Sequence, residues 1–248
     1  RFPESPGWFF NGWMRLIVIA VLSLLSCQKW NEMIGKHWSY EKPEEWGASC
    51  NTGRLQSPVD IQKTTHANLE SVRIDYSDTP LAITNNGHTI QVNAAGAGGI
   101  TVGETRFNLV QYHFHARSEH AIQGATADME VHFVHKDAAG NIAVVGVLLR
   151  KGESNPLLKA IVGNAPKEKG EKTVSTRGNP ALLLPPSRGY YTYVGSLTTP
   201  DCSEGLKWIV MKMPVEVSEQ EIALFRAMYA NNARPVQALN NRIILESE

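Results

Sequence analysis

Short stretches in which apolar and polar residues alternate, separated by turn formers, run through most of this chain. Residues 81–84 lead into Asn85-Asn86-Gly87 and then residues 88–92, the pattern of a hairpin with Asn-Gly at its turn. Residues 107–115, 130–135 and 142–149 follow as strands rich in β-branched and aromatic side chains. The last is apolar on both faces, which predicts a central strand. Helices are few. Asn155-Pro156 opens a short one with a capping residue and a proline at its first position. Ser218-Glu219-Gln220-Glu221 is a capping box ahead of the one-faced stripe Ile222, Phe225 and Tyr229, a packing surface. The Lys/Glu run over residues 167–172 predicts a solvated loop.

Three histidines stand out on two of these strands. His113 and His115 in Gln-Tyr-His-Phe-His share one face, because residues i and i+2 of a strand point the same way. His132, in Met-Glu-Val-His-Phe-Val-His, meets them if the two strands are neighbours. A single strand histidine is more often a core or surface residue than a ligand, but three neutral nitrogens with an open fourth position are what a catalytic zinc site uses. None of the three cysteines lies near them in sequence. Zinc held this way lowers the pKa of a bound water to about 7, making a nucleophile available at neutral pH. Glu119, four residues after His115, and Glu130, two before His132, are placed to orient the ligands or the solvent, and Gln111 to accept the free ring N–H of His113.

The first residues read as a leader. Met14-Arg15 precedes an apolar run over residues 16–25, the length of a signal-peptide core and short for a bilayer span. Leu24-Leu25-Ser26-Cys27 resembles a lipoprotein cleavage box, which makes Cys27 a candidate for lipidation and membrane anchoring; ordinary signal-peptide cleavage nearby stays open. Residues 28–248 then form one well-buried domain. With Arg1, Arg15 and Glu4 in the leader, that remainder carries 22 basic and 23 acidic side chains, and nothing in this balance suggests nucleic acid. Export places Cys50 and Cys202 in an oxidising compartment, where pairing is the default expectation.

Taken in order, Gln56-Ser57-Pro58-Val59-Asp60-Ile61, Asn85-Asn86-Gly87-His88, Gln111-Tyr112-His113-Phe114-His115, Ser118-Glu119-His120, Glu130-Val131-His132, Ala143-Val144-Val145-Gly146 and Gly195-Ser196-Leu197-Thr198-Thr199-Pro200 resemble an α-class carbonic anhydrase of the bacterial, exported type. The likeness runs from His37 to Arg242. The water pKa of about 7 quoted above is the value known for this very family. The resemblance implies a single α/β domain built around a large twisted, mainly antiparallel sheet of about ten strands with short peripheral helices. It implies reversible hydration of carbon dioxide to bicarbonate and a proton by zinc-hydroxide attack, with one Zn2+ per chain on His113, His115 and His132.

Carried over residue by residue, Thr198 accepts from the zinc hydroxide and donates to Glu119, while Gln111 and Glu130 support the ligands. Val134, Val144, Leu197, Thr199, Leu206 and Trp208 form the substrate pocket; read without the family, the apolar ones would be core. Tyr40, Asn86 and Gln91 match the side that orders water. His88 falls on the proton-shuttle position. An acid of pKa near 7 that loses its proton straight to water turns over at only ~10² to 10⁴ per second, and a histidine titrating near neutrality removes that limit. A Cys50–Cys202 bridge and a cis Ser57–Pro58 bond belong to the same pattern. Sulfonamide and anion inhibitors are expected ligands, and a homodimer stays open. The stretch between His115 and Glu119 is shorter than in animal enzymes, and Arg117 and Asp201 depart from the animal pattern, which leaves inhibitor preference open.

Two rivals fail on residues. A cupin shares His113-x-His115 followed by Glu119, but Pro-x-Gly-x-x-His does not occur downstream, and Phe107 stands where that motif needs glycine. A non-catalytic binding module of the same fold would have lost zinc ligands, whereas this chain keeps all three with Thr198, Glu119 and His88.

Overall fold

The alternating segments assemble into one large sheet. A computed structural model describes residues 38–248, of which Ser39–Glu248 form one compact unit. The leader expected over residues 1–27, with Cys27, lies outside the described residues. The strands are β1 (Asp60–Ile61), β2 (Thr65–His66), β3 (Val72–Ile74), β4 (Thr79–Asn85), β5 (Ile90–Asn93), β6 (Gly99–Val102), β7 (Thr105–Ala116), β8 (Ala121–Ile122), β9 (Met129–Lys136), β10 (Ile142–Lys151), β11 (Gly170–Gly178), β12 (Tyr190–Ser196), β13 (Glu204–Met211), β14 (Val215–Val217) and β15 (Leu245–Glu246). Among the described residues three α-helices, α1 (Ala48–Thr52), α2 (Pro156–Asn164) and α3 (Glu219–Arg226), accompany the strands.

The main sheet runs β11-β4-β5-β7-β9-β10-β13-β12-β15-β2, with β14 joined to β10, and β3 reaching β7 through β6. That path of ten strands is the size expected, and its pairings are antiparallel except β10–β13 and β15–β2; β10–β14 is also parallel. β4 and β5 form the predicted hairpin, Asn85 pairing with Ile90. β10 is held between β9 and β13, which accounts for its apolar character on both faces.

Helix starts follow the capping signals. The Asn155 side chain accepts the N–H groups of Leu157 and Leu158 ahead of Pro156, and α2 buries Leu157, Leu158, Ile161 and Val162. Ser218 and Glu221 form the reciprocal capping box of α3, which buries Ile222 and Phe225 but ends at Arg226, so Tyr229 lies beyond it. One expectation changes: residues 170–172 of the Lys/Glu run are not loop but the start of β11, an edge strand on β4.

Alternation along β9 and β10 divides the apolar side chains between the two faces. Val131, Phe133, Val145 and Val147 join a large core that also takes up α2 and α3. Val134, Val144, Leu206 and Trp208 form a smaller cluster with Val59, Tyr193 and Val210. Each buried Val, Leu, Ile or Phe contributes ~1.5–3 kcal/mol, so the first face supplies most of the stability and the second is free to carry polar groups. Cys50 and Cys202 are bridged, and the Ser57–Pro58 bond is cis, both as expected.

Candidate metal centre

Strand register brings the three histidines together. β7 and β9 are antiparallel, with His113 opposite His132 and His115 opposite Glu130. All three rings therefore project from one face, with centroids 4.5 Å (His115–His132), 5.0 Å (His113–His115) and 5.4 Å (His113–His132) apart.

Each ring has one nitrogen committed to an acceptor. His113 Nδ1 donates to Gln111 Oε1 at 2.9 Å, His115 Nδ1 to the Asn232 carbonyl at 2.8 Å, and His132 Nε2 to Glu130 Oε1 at 2.9 Å. An imidazole that donates through one nitrogen presents a lone pair at the other. Each of the three residues offers one ring nitrogen within 4.8 Å of the others, and the nitrogens left uncommitted are His113 Nε2, His115 Nε2 and His132 Nδ1. His115 Nε2 is buried and has no hydrogen-bond partner among the described residues. Burial drives the pKa of all three down, with a neighbouring histidine adding to it in each case (His115 and His132 for His113, His120 for His115, His115 for His132); His113 falls well below the ordinary value and His115 to about 4. They are neutral donors at neutral pH. An orphaned buried nitrogen in a set of three neutral imidazoles fits a zinc ion with an open fourth position. A second trio, His120, Glu130 and His132, is already paired through Glu130.

Two buried carboxylates stand behind the three histidines in different states. Glu130 Oε1 takes His120 Nδ1 at 2.8 Å besides His132, and its Oε2 takes the backbone N–H groups of Glu119 (2.9 Å) and His120 (2.8 Å). Burial raises its pKa, but the two histidines and their hydrogen bonds overturn this and hold it well below the usual carboxylate range. Gly146 gives it room: a Cβ there would sit 2.8 Å from Glu130 Oε1. Glu119 accepts the Arg234 backbone N–H at 2.7 Å on Oε1. Its Oε2 lies 3.8 Å from His132 Nδ1 and has no hydrogen bond among the described residues. Burial pushes its pKa up to about 7, against the lowering effects of His132, the Thr198 hydroxyl and the Arg234 N–H.

Of the other predicted residues, some adjoin this centre and some are engaged elsewhere. Val134 pairs with Val144 and Val144 with Trp208, continuing the His132 face as an apolar wall with Leu206; Leu197 is partly buried against it. The loop after Leu197 is fastened where the Cys202 N–H donates to the Thr199 carbonyl at 2.8 Å and Cys202 bridges to Cys50. Burial raises the Tyr40 pKa well above normal, and the Glu119 charge adds to it, so Tyr40 belongs to the same surroundings. Gln91 pairs with His113 across β5 and β7 but gives its amide N–H to Asn93 Oδ1. Asn86 uses Oδ1 on the N–H groups of His88 and Thr89, so that atom shapes the turn instead of facing solvent. His88 is half-buried on that turn.

Residues given no role from the sequence tie the centre to the fold. His120 Nε2 reaches the Tyr193 hydroxyl at 2.8 Å, which reaches Ser57 Oγ at 2.9 Å. The Arg234 guanidinium donates to Gln56 Oε1, the Ser57 carbonyl and the Cys50 carbonyl. His120 carried a signal, standing beside Glu119 in a recognised motif. Asn232 carried none, since its service to His115 comes through the main chain.

The chain matches the family described as eukaryotic-type carbonic anhydrase over residues 36–248. A carbonic anhydrase of Klebsiella pneumoniae is 41% identical over 228 residues, 86% of this chain and 92% of that protein. One from Nostoc sp. is 38% identical over 227 residues, covering 85% and 86%. Among solved structures, an alpha-carbonic anhydrase from Thermovibrio ammonificans in complex with the inhibitor sulfanilamide is 43% identical, with a TM-score of 0.82 over 85% of this chain and 99% of that one. With this coverage and the histidine centre in place, the chain belongs to the eukaryotic-type, or alpha, carbonic anhydrase family and is a carbonic anhydrase, a lyase.

Proposed function

We propose that this chain hydrates carbon dioxide reversibly to bicarbonate and a proton, with one zinc ion held by His113, His115 and His132. The observation that carries the reading is the arrangement of ring nitrogens: in each of the three, one is committed to an acceptor and the other is left as a lone pair in the shared pocket. Bound there, zinc supplies a water of pKa about 7, the established value for this family, and with it a nucleophile at neutral pH.

The chain's own residues supply orientation, exclusion of water and proton transfer. A Thr198 hydroxyl that donates to the unfilled Glu119 Oε2 keeps its oxygen as an acceptor toward the pocket, which fixes the direction of the attacking oxygen. Gln111, Glu130 and the Asn232 carbonyl hold the rings in the required tautomers. The wall of Val134, Val144, Leu206 and Trp208, with Leu197 and Thr199 at its edge, takes a small apolar substrate without offering it a competing hydrogen bond. His88 receives the product proton and passes it to buffer; Tyr40, Asn86 and Gln91 line the route. Sulfonamides and small anions bind at the metal. Residues 28–248 act as the catalytic domain of an exported protein, a reading that the disulfide supports, and Cys27 is the candidate lipid anchor.

Stopped-flow carbon dioxide hydration by the zinc-loaded protein tests the reading. Activity that vanishes on chelation and returns with zinc supports it; a zinc-loaded protein without hydratase activity refutes it.

A further inference from the structure

The turn that carries His88 is tied to the ligand strand by a side chain that belongs to neither β4 nor β5. Asn232 follows α3 and is 1% exposed. Its main chain serves the ligand strand: the carbonyl accepts from His115 Nδ1 at 2.8 Å, and the N–H donates to the Ala116 carbonyl at 3.1 Å. Its side chain does something else. Oδ1 accepts the Ala116 N–H at 2.8 Å, while Nδ2 donates to the Phe114 carbonyl at 3.0 Å and to the His88 carbonyl at 3.1 Å. Both amide hydrogens and the amide oxygen are used, so a rotation of the side chain would break three hydrogen bonds together.

Other contacts hold the same turn at different points. Thr89 Oγ1 also donates to the Phe114 carbonyl, at 2.5 Å. Asn85 Oδ1 accepts the Gly87 N–H at 3.0 Å and the Tyr229 hydroxyl. Among the described side chains, Asn232 is the one that bonds both the His88 main chain and the strand of His113 and His115.

We propose that the Asn232 side chain is a positioning residue for proton transfer: it fixes the His88 backbone against β7, and with it the offset of the His88 imidazole from the metal pocket. This rests on the proposed role of His88 as proton acceptor. A misplacement of a transferring group by about 1 Å is enough to cost a large part of a rate, so loss of the link acts on the proton step without touching the nucleophile.

The test compares zinc-loaded Asn232→Ala with Thr89→Val, which removes the other donor to Phe114 but leaves the His88 link, and with His88→Ala. Asn232→Ala should lower kcat in dilute buffer by about three- to ten-fold, recover with added imidazole, and keep kcat/KM within about two-fold and zinc at one per chain. Thr89→Val should leave that split absent. Amide exchange on the same proteins gives a readout independent of activity: the His88 and Thr89 N–H groups should exchange faster by about ten-fold in Asn232→Ala, with β9 unchanged. Equal loss in kcat and kcat/KM, or unchanged exchange at residues 88 and 89, overturns the proposal. If His88→Ala keeps full kcat in dilute buffer, the shuttle reading falls and the positioning role with it; if it loses kcat while Asn232→Ala does not, only the positioning role is wrong. Should Asn232→Ala fail to fold, Asn232→Asp, which keeps the shape and an acceptor for the Ala116 N–H but lacks the amide donors, serves the same readouts.

Discussion

Strand β9 turns one histidine to each of its faces, and the two are satisfied differently. His135, on the side of the large core, has both nitrogens bonded, one to the Tyr76 hydroxyl at 2.7 Å and one to the Ala143 carbonyl at 3.2 Å, and its ring stacks on Tyr76. His132, three residues earlier on the opposite face, spends one nitrogen on Glu130, and no hydrogen bond among the described residues reaches the other. Both are buried, and burial lowers the pKa of both. Burial and a perturbed pKa therefore do not separate a structural histidine from a ligand. Counting what each nitrogen is bonded to does, because an open nitrogen in a dry site is costly unless something outside the protein fills it.

The sharpest way to break this contrast is to remove one histidine from each face. His132→Ala should lose both the metal and carbon dioxide hydration, as measured by zinc analysis and stopped-flow assay. His135→Phe should keep both, and a loss of zinc in that variant would erase the distinction. Thr198→Ala tests the orienting hydrogen bond on the ligand face. Its loss should cost about 1.5–3 kcal/mol, or roughly 10- to 150-fold in kcat/KM, with zinc retained; full kcat/KM would mean that Thr198 does not direct the attacking oxygen.

Gly146→Ala acts one layer further out. The added Cβ meets Glu130 Oε1, and displacing that carboxylate from His132 should weaken zinc by about 10- to 100-fold, read from competition with a chelator. Unchanged affinity would show that Glu130 can give way freely.

The smallest effect on activity, and a separate one on stability, comes from acid. His135 has a pKa lowered to about 4 by burial, so between that value and the ordinary 6.5 the unfolded chain binds more protons than the folded one. Its contribution is intact above about pH 6.5 and is lost as pH falls toward 4, by up to about 3 kcal/mol. Urea unfolding of His135→Phe should thus show a flatter pH dependence than the wild type over that range; equal slopes would place the acid sensitivity elsewhere.

Much of this contrast was legible in the sequence, because strand period alone puts His113 and His115 on one face and His132 and His135 on opposite ones. The Asn-Gly turn, both helix caps and the placement of Gln111, Glu119 and Glu130 beside the three histidines follow from local rules of the same kind. What local pattern does not carry is a partner distant in sequence. The Asn232 carbonyl on His115 and the Arg234 N–H on Glu119 are main-chain groups, to which side-chain identity gives no clue. β11 escaped for another reason: seven of its nine residues are exposed, so no alternation marks it as a strand. Glu130 could be placed near His132 from spacing, but its partnership with His120 needed the register of β7 against β9.

X-ray absorption at the zinc edge of the purified protein reports whether His113 Nε2, His115 Nε2 and His132 Nδ1 form a zinc site. One zinc per chain is expected, with three imidazole nitrogens at about 2.0–2.1 Å, one further light ligand and no sulfur. A first shell containing sulfur, or fewer than three imidazoles, would contradict it.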